Sequence, residues 1–173
     1  MDSPVAARDT DRRTLLAQII GACVAFLAAL LGIPAIGASV GPALTRQEAA
    51  WLTLGNPENF EEAVPKAVNL SVARRDGWIE TTEVKAVWVV RQPGPQFTVF
   101  NGRCTHLGCA YSWQAAQNEF ACPCHAGVYG LNGGVLAGPP PRPLDSLPVR
   151  VENNTLQVQY QDFQLGTPEQ APA

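Results

Sequence analysis

Apolar and polar positions follow two different patterns along this chain. From Thr14 to Thr45 no side chain is charged, and Leu15 to Ile36 is apolar almost throughout, with Gln18 the main exception. At ~1.5 Å rise per residue that run makes a helix of about 33 Å. A bilayer's hydrocarbon core is ~30 Å thick, so the pattern predicts one transmembrane helix over 14–36, behind a short tail at 1–13. Ala, Leu and Ile are compatible with a helix. Pro34 predicts a kink or an end near the far side. Gly37 to Pro42, G-A-S-V-G-P, predicts a flexible hinge, taken over 37–50. A buried core helix is disfavoured by the length and uniformity of the run. A cleaved signal peptide is the stronger rival, because Ala35-Ile36-Gly37 puts small residues where a signal peptidase cuts. The apolar run nevertheless exceeds the ~7–15 residues of a signal core.

From Trp51 onward the pattern shortens and begins to alternate. Strands are expected at Trp51–Leu54, Ala67–Val72, Gly77–Thr82, Val84–Arg91, Gln96–Asn101, Glu119–Ala121, Pro148–Glu152 and Thr155–Tyr160. Runs such as V-K-A-V-W-V-V and Q-F-T-V-F are rich in β-branched and aromatic residues. Turn signals separate them at Arg75-Asp76-Gly77, Pro93-Gly94-Pro95 and Asn153-Asn154. The class is therefore all-β, a small antiparallel sandwich or barrel over 51–160 preceded by one helix. Residues 161–173 are polar with Pro and Gly and are expected to fray. Trp51, Trp78 and Trp88 are expected in core or rim packing, and Cys23, inside the apolar run, as an inert small hydrophobe.

Composition narrows the function classes. The balance of 12 basic against 15 acidic residues gives a net charge of −3 and no basic surface for nucleic acid. Fifteen glycines and 15 prolines favour turns and short strands over long helices in the head. The chain has five cysteines and two histidines, and four of those cysteines and both histidines fall between positions 104 and 125. Arg12 and Arg13, in T-D-R-R-T-L-L, resemble a twin-arginine export signal, a route that carries folded proteins. They also obey the positive-inside rule. Either way Arg8, Arg12 and Arg13 stay cytoplasmic and the head is expected outside a bacterial plasma membrane, on the periplasmic side.

The clustered residues form two short motifs, C-T-H-L-G-C at Cys104 to Cys109 and C-P-C-H at Cys122 to His125. They offer six donors where a metal ion or one cluster needs fewer. A structural zinc site would take four and leave two unexplained.

With the continuation C-P-C-H-A-G and the later G-P-P-P at Gly138 to Pro141, the pattern closely resembles the Rieske iron–sulfur proteins. The resemblance is strong over the cluster loops, about 102–142, and loose over the rest of the head. It implies a Rieske-type β head with a cluster-binding subdomain and one 2Fe–2S cluster. Soluble members show only C-x-H and C-x-x-H, so the resemblance implies Cys104, His106, Cys122 and His125 as ligands. Cys109 and Cys124 would then form a disulfide between the loops in an oxidising compartment. Tyr129 would donate to the Cys104 sulfur, and Leu107, Pro139 and Pro140 would surround the cluster. Imidazole in place of thiolate on one iron raises the potential to about −150 to +300 mV, a range quinols can reach.

The resemblance to the cytochrome bc and b6f subunits implies a quinol–cytochrome c oxidoreductase. His125 would meet the quinol with His106 beside it, and the partners would be a b-type cytochrome subunit and a c-type cytochrome in a dimeric complex. Many high-potential members carry a serine where this chain has Gly127, which lacks a side-chain donor. A lower potential and menaquinol as substrate are therefore expected. The second reading is the small Rieske subunit of an exported oxidase such as arsenite oxidase, a family that also shows a twin-arginine signal and paired cysteines.

Overall fold

The computed structural model describes residues 11–44, 50–76 and 79–173. They belong to two compact units, one from Met1 to Arg46 and one from Gln47 to Ala173. The first is a single helix, α1, Arg12–Leu44. Its first turn is closed by the Asp11 carbonyl, which accepts from the amides of Thr14 and Leu15. Arg12–Gly41 has a mean hydropathy of 2.5, long and apolar enough to cross a membrane. Its large apolar side chains, among them Leu16, Ile20, Phe26 and Leu31, are exposed. A helix this apolar, with no polar stripe, finds its apolar surroundings in lipid.

The helix does not end where the sequence suggested. It runs through Pro34 and Gly37 to Leu44, so the stretch expected as a hinge from residue 37 is helical that far. Proline removes one backbone donor. In apolar surroundings the remaining backbone groups have no better partners than one another, so helical proline is tolerated there. The rest of the expected hinge lies mostly at 45–49, outside the described residues.

The second unit is built from three antiparallel sheets. Strands β1 (Trp51–Gly55), β10 (Val149–Glu152) and β11 (Thr155–Gln159) form one, ordered β1-β11-β10. Strands β2 (Lys66–Asp76), β3 (Ile79–Arg91), β4 (Phe97–Asn101) and β9 (Ser146–Leu147) form the second in the order β2-β3-β4-β9. Strands β5 (Ser112–Gln114), β6 (Glu119–Cys122), β7 (Gly127–Gly130) and β8 (Val135–Ala137) form the third in sequence order.

The run Val87-Trp88-Val89-Val90 explains how the sheets stack. Alternate side chains of a strand point to opposite faces. Val87 and Val89, with Val99 of β4, join Leu70, Leu156 and Val158 in one core. Trp88 and Val90, with Phe100, face a second core with Phe120, Tyr111 and Tyr129. The middle sheet is thus covered on both faces, which is why its strands read as continuous apolar runs rather than alternating ones. Phe120 anchors the second core, with edge-on contacts to Trp88, Phe100, Tyr111 and Trp113 at 4.8–6.2 Å. Trp51 lies under the Arg150 guanidinium, 4.2 Å from its ring centre. Trp78 lies outside the described residues.

Three expectations for the second unit need correction. Gly77–Thr82 and Val84–Arg91 are not two strands: β3 is continuous from Ile79, because nothing at Thr82-Glu83 interrupts pairing with β2. Strands β5, β7, β8 and β9 were not anticipated, being two to four residues long. The tail from Gln161 is held in place as far as the C-terminus. Phe163 is in the first core, Gln164 donates its amide to the Ala171 carbonyl, and the Ala173 amide reaches the Asp162 carbonyl. The Asn153-Asn154 hairpin is as expected, with both residues at positive φ between paired Glu152 and Thr155.

Candidate metal centre

The third sheet carries the two motifs to one end. Cys122 closes β6 and pairs with Gly127 of β7, so Pro123 to Ala126 form the connecting loop. The first loop is pinched at its base by an Arg103–Ala110 bridge. The Cys104 amide donates to the Cys109 carbonyl and the Gly108 amide to the Cys104 carbonyl, both at 2.8 Å. Gly108 has a positive φ of 77°, and a Cβ there would meet the Arg103 side chain and stand 2.7 Å from Leu165 Cδ1. Glycine is what allows this loop to close against its neighbours.

Cys109 and Cys124 are joined in a disulfide, one residue from each loop. Cys104 and Cys122 are free and buried, 2% and 3% exposed. The rings of His106 and His125 lie edge to face with centres 4.8 Å apart. His106 is half-buried and His125 exposed. Leu107, 60% exposed, and Pro139 flank the same recess, and the buried Pro140 lines it from below.

These residues suit an iron–sulfur group. Two buried free thiols and two adjacent imidazoles converge on one recess. The sulfurs of Cys109, Cys122 and Cys124 also lie within 4.8 Å of one another. Two of those are bonded to each other, however, and a disulfide sulfur is not a thiolate donor. Burial pushes the Cys122 thiol up, and the neighbouring Cys104 sulfur adds to the shift. Bound iron would displace that proton.

Tyr129, fully buried on β7, supports the inner side. Its hydroxyl lies 3.1 Å from Cys104 Sγ and 3.1 Å from Thr105 Oγ1, and accepts from the Thr105 amide at 3.2 Å. Burial, then the contact with Cys104, raises its pKa, so the phenol remains a proton donor. Gly127 is buried against the proline loop, and a Cβ on it would stand 2.9 Å from Pro140 Cγ. Sequence reasoning missed Thr105, which lies inside the first motif and is fully buried, and the buried pair Arg142 and Asp145, just past the proline loop. Their signal was only a charged residue amid prolines, in G-P-P-P-R-P-L-D.

Residues 50–148 match the family model of the Rieske [2Fe-2S] domain, more than half of the chain, and this protein belongs to that family. The cofactor of the domain is one [2Fe–2S] cluster. The chain is 29% identical to the cytochrome b6-f complex iron-sulfur subunit of Chlorobaculum thiosulfatiphilum, over 86% of this chain and 75% of that one. It is 29% identical to the menaquinol:cytochrome c reductase iron-sulfur subunit of Bacillus subtilis, over 86% and 90%. Among solved structures, a chain of a hyperthermophilic respiratory Complex III aligns at 28% identity with a TM-score of 0.45, covering 79% of this chain and 98% of that one. The chain is thus an electron-transfer protein of the oxidoreductase type with a single-pass membrane anchor.

Proposed function

We propose that this chain is the Rieske subunit of a membrane quinol–cytochrome c oxidoreductase and takes one electron and one proton from quinol at the His125 face. The observation that carries the reading is the pair of adjacent imidazoles above two buried thiols, with His125 the more exposed. Cys104, Cys122, His106 and His125 are the residues that would hold the [2Fe–2S] group, two as thiolates and two as imidazoles. When bound, such a group supplies a one-electron acceptor at about −150 to +300 mV.

The remaining chemistry belongs to the chain. The His125 ring presents its outer nitrogen to the substrate and takes the quinol proton there. His106 stands beside it, and Leu107 and Pro139 form an apolar collar that favours a quinol ring over water. Tyr129 donates toward the Cys104 sulfur and so favours the reduced state. Gly127 offers no side-chain donor, which lowers the potential and suits menaquinol, the substrate printed in the name of the Bacillus relative.

The partners in this reading are a b-type cytochrome subunit and a c-type cytochrome of a dimeric complex. Arg12 and Arg13 keep the N-terminus cytoplasmic and place the head on the periplasmic side, consistent with twin-arginine export and with the disulfide. Purification from native membrane is the test. Copurifying b- and c-type haem with a quinol-reducible iron–sulfur EPR signal is expected. A signal-bearing chain that copurifies without b-type haem would overturn the reading and favour a subunit of an exported oxidase.

A further inference from the structure

Arg142 follows the proline loop and is only 5% exposed. Its guanidinium forks onto Asp145, Nε to Oδ1 and Nη2 to Oδ2, each at 2.9 Å. That contact alone neutralises the charge. The other bonds go to the C-terminal segment. Nη1 donates to the Thr167 carbonyl at 2.6 Å and to its hydroxyl at 2.8 Å, and Nη2 donates to the Gln164 carbonyl at 2.6 Å. A planar fork with five donors in fixed directions can join two chain segments in this way, where a flexible ammonium would not.

The backbone of the same residue reaches the first cluster loop. The Arg142 carbonyl accepts from Thr105 Oγ1 at 2.8 Å. The C-terminal segment also touches that loop directly. The Gly166 amide donates to the Thr105 carbonyl at 3.0 Å, and Leu165 covers Gly108. Thr105 is therefore held from two sides, and its amide in turn orients the Tyr129 oxygen. With the Thr105 proton committed to Arg142, the Tyr129 proton has two acceptors at 3.1 Å, Thr105 Oγ1 and Cys104 Sγ. The anionic sulfur is the stronger acceptor.

The geometry points to Arg142 and the segment Gln164–Thr167 as a clamp that positions Thr105, and through it the Tyr129 hydroxyl, against the Cys104 sulfur. The C-terminal segment then helps to set the working potential of the iron–sulfur group. This rests on Cys104 being a ligand. Arg142 is a positioning residue: it touches neither substrate nor iron and acts through the orientation of a donor, whose strength falls steeply with angle.

The test is a redox titration by EPR of the full chain in its native membrane complex. Two variants are needed. Arg142→Gln breaks the fork. A chain ending at Phe163 keeps Asp162, the buried Phe163 and the Arg142–Asp145 pair but removes the clamp. In both, the reduced-to-oxidised ratio at a fixed ambient potential is expected to fall about fivefold, and amide exchange at Thr105 to quicken. Adding Tyr129→Phe to either variant should then give much less than the sum of the separate shifts, because both act on one bond. Unchanged potentials in both variants, or fully additive shifts, overturn the clamp. Failure of both to fold assigns the segment to scaffold alone and overturns it equally. If the unaltered chain shows no Rieske signal, the ligand assignment fails and the clamp with it.

Discussion

The Tyr129 hydroxyl stands 3.1 Å from the Cys104 sulfur, inside a side chain with no solvent exposure. A donor aimed at a sulfur gains strength as negative charge collects there, so it favours the electron's arrival. Tyr129→Phe removes that donor and keeps the ring in the aromatic core. A potential lower by about 60 mV is expected, the equivalent of one modest hydrogen bond in a one-electron couple. Redox titration checks it, and an unchanged potential would show that the contact is structural only.

The Cys109–Cys124 disulfide ties the two loops at their outer side. Cys109→Ser with Cys124→Ser opens it. Closing a loop of 15 residues contributes about 3 kcal/mol in the chain-entropy model, less whatever the bound cluster already supplies by joining the same loops. The double variant should keep its iron–sulfur absorption and lose cluster faster on warming. Loss of one iron-bound thiolate from its spectrum would show that the disulfide and ligand cysteines had been wrongly divided.

Gly127 and Gly138 hold the proline loop against the second motif. A Cβ on Gly138, whose φ is +91°, would overlap the Ala126 carbonyl and come within 2.8 Å of Gly127 Cα. Gly138→Ala should therefore expose the recess and shorten cluster lifetime in air. Gly127→Ser restores a hydroxyl near the sulfurs and should raise the potential. Its Cβ would stand 2.9 Å from Pro140 Cγ, so it should also lower stability by about 1–3 kcal/mol as overpacking. A thermal melt beside a redox titration separates the two effects, and a potential that does not rise would remove Gly127 from the account of a low-potential enzyme.

Alkaline pH should unfold the head. Burial raises the pKa of Tyr111, Tyr129 and Tyr160 above the ordinary 10.0, with the neighbouring Cys104 adding at Tyr129 and Asp162 at Tyr160. Up to about pH 10 these phenols are neutral in both states and stability is unaffected. Above it the unfolded chain ionises first and binds fewer protons, so stability falls, by up to about 1.4 kcal/mol per pH unit for each phenol. Denaturant titrations between pH 8 and 11.5 should show a flat region and then a steep loss. A stability that stays level to pH 11.5 would mean the phenols ionise without unfolding.

The motif loops were legible because ligand chemistry is local. Residue type and spacing single out six donors between 104 and 125, whatever the sheets around them do; only the resemblance to the Rieske family divides them into four expected ligands and a disulfide pair, and the structure shows the Cys109–Cys124 bond. The strand expected at Val84–Arg91 was legible by its run of β-branched and aromatic residues, and the one expected at Thr155–Tyr160, observed as Thr155–Gln159, by alternation. The C-terminal segment was not. Its polar composition with Pro and Gly describes a fraying tail, and its order comes from Arg142 and Thr105, residues remote in sequence whose bonds to it no local pattern encodes. Strands β7 and β8 were hidden for a similar reason, since G-V-Y-G is a strand because β6 and β8 flank it. The path of α1 past Pro34 shows surroundings overriding an intrinsic helix breaker.

The central proposal is that His106 and His125 would both bind the iron–sulfur group through their rings, with Cys104 and Cys122 as its thiolate donors. Electron–nuclear double resonance on the reduced protein, grown with 15N-labelled histidine, reads this directly. Two strongly coupled histidine nitrogens are expected, unchanged when Cys109 and Cys124 are both replaced by serine. No coupled histidine nitrogen, or only one, would contradict it.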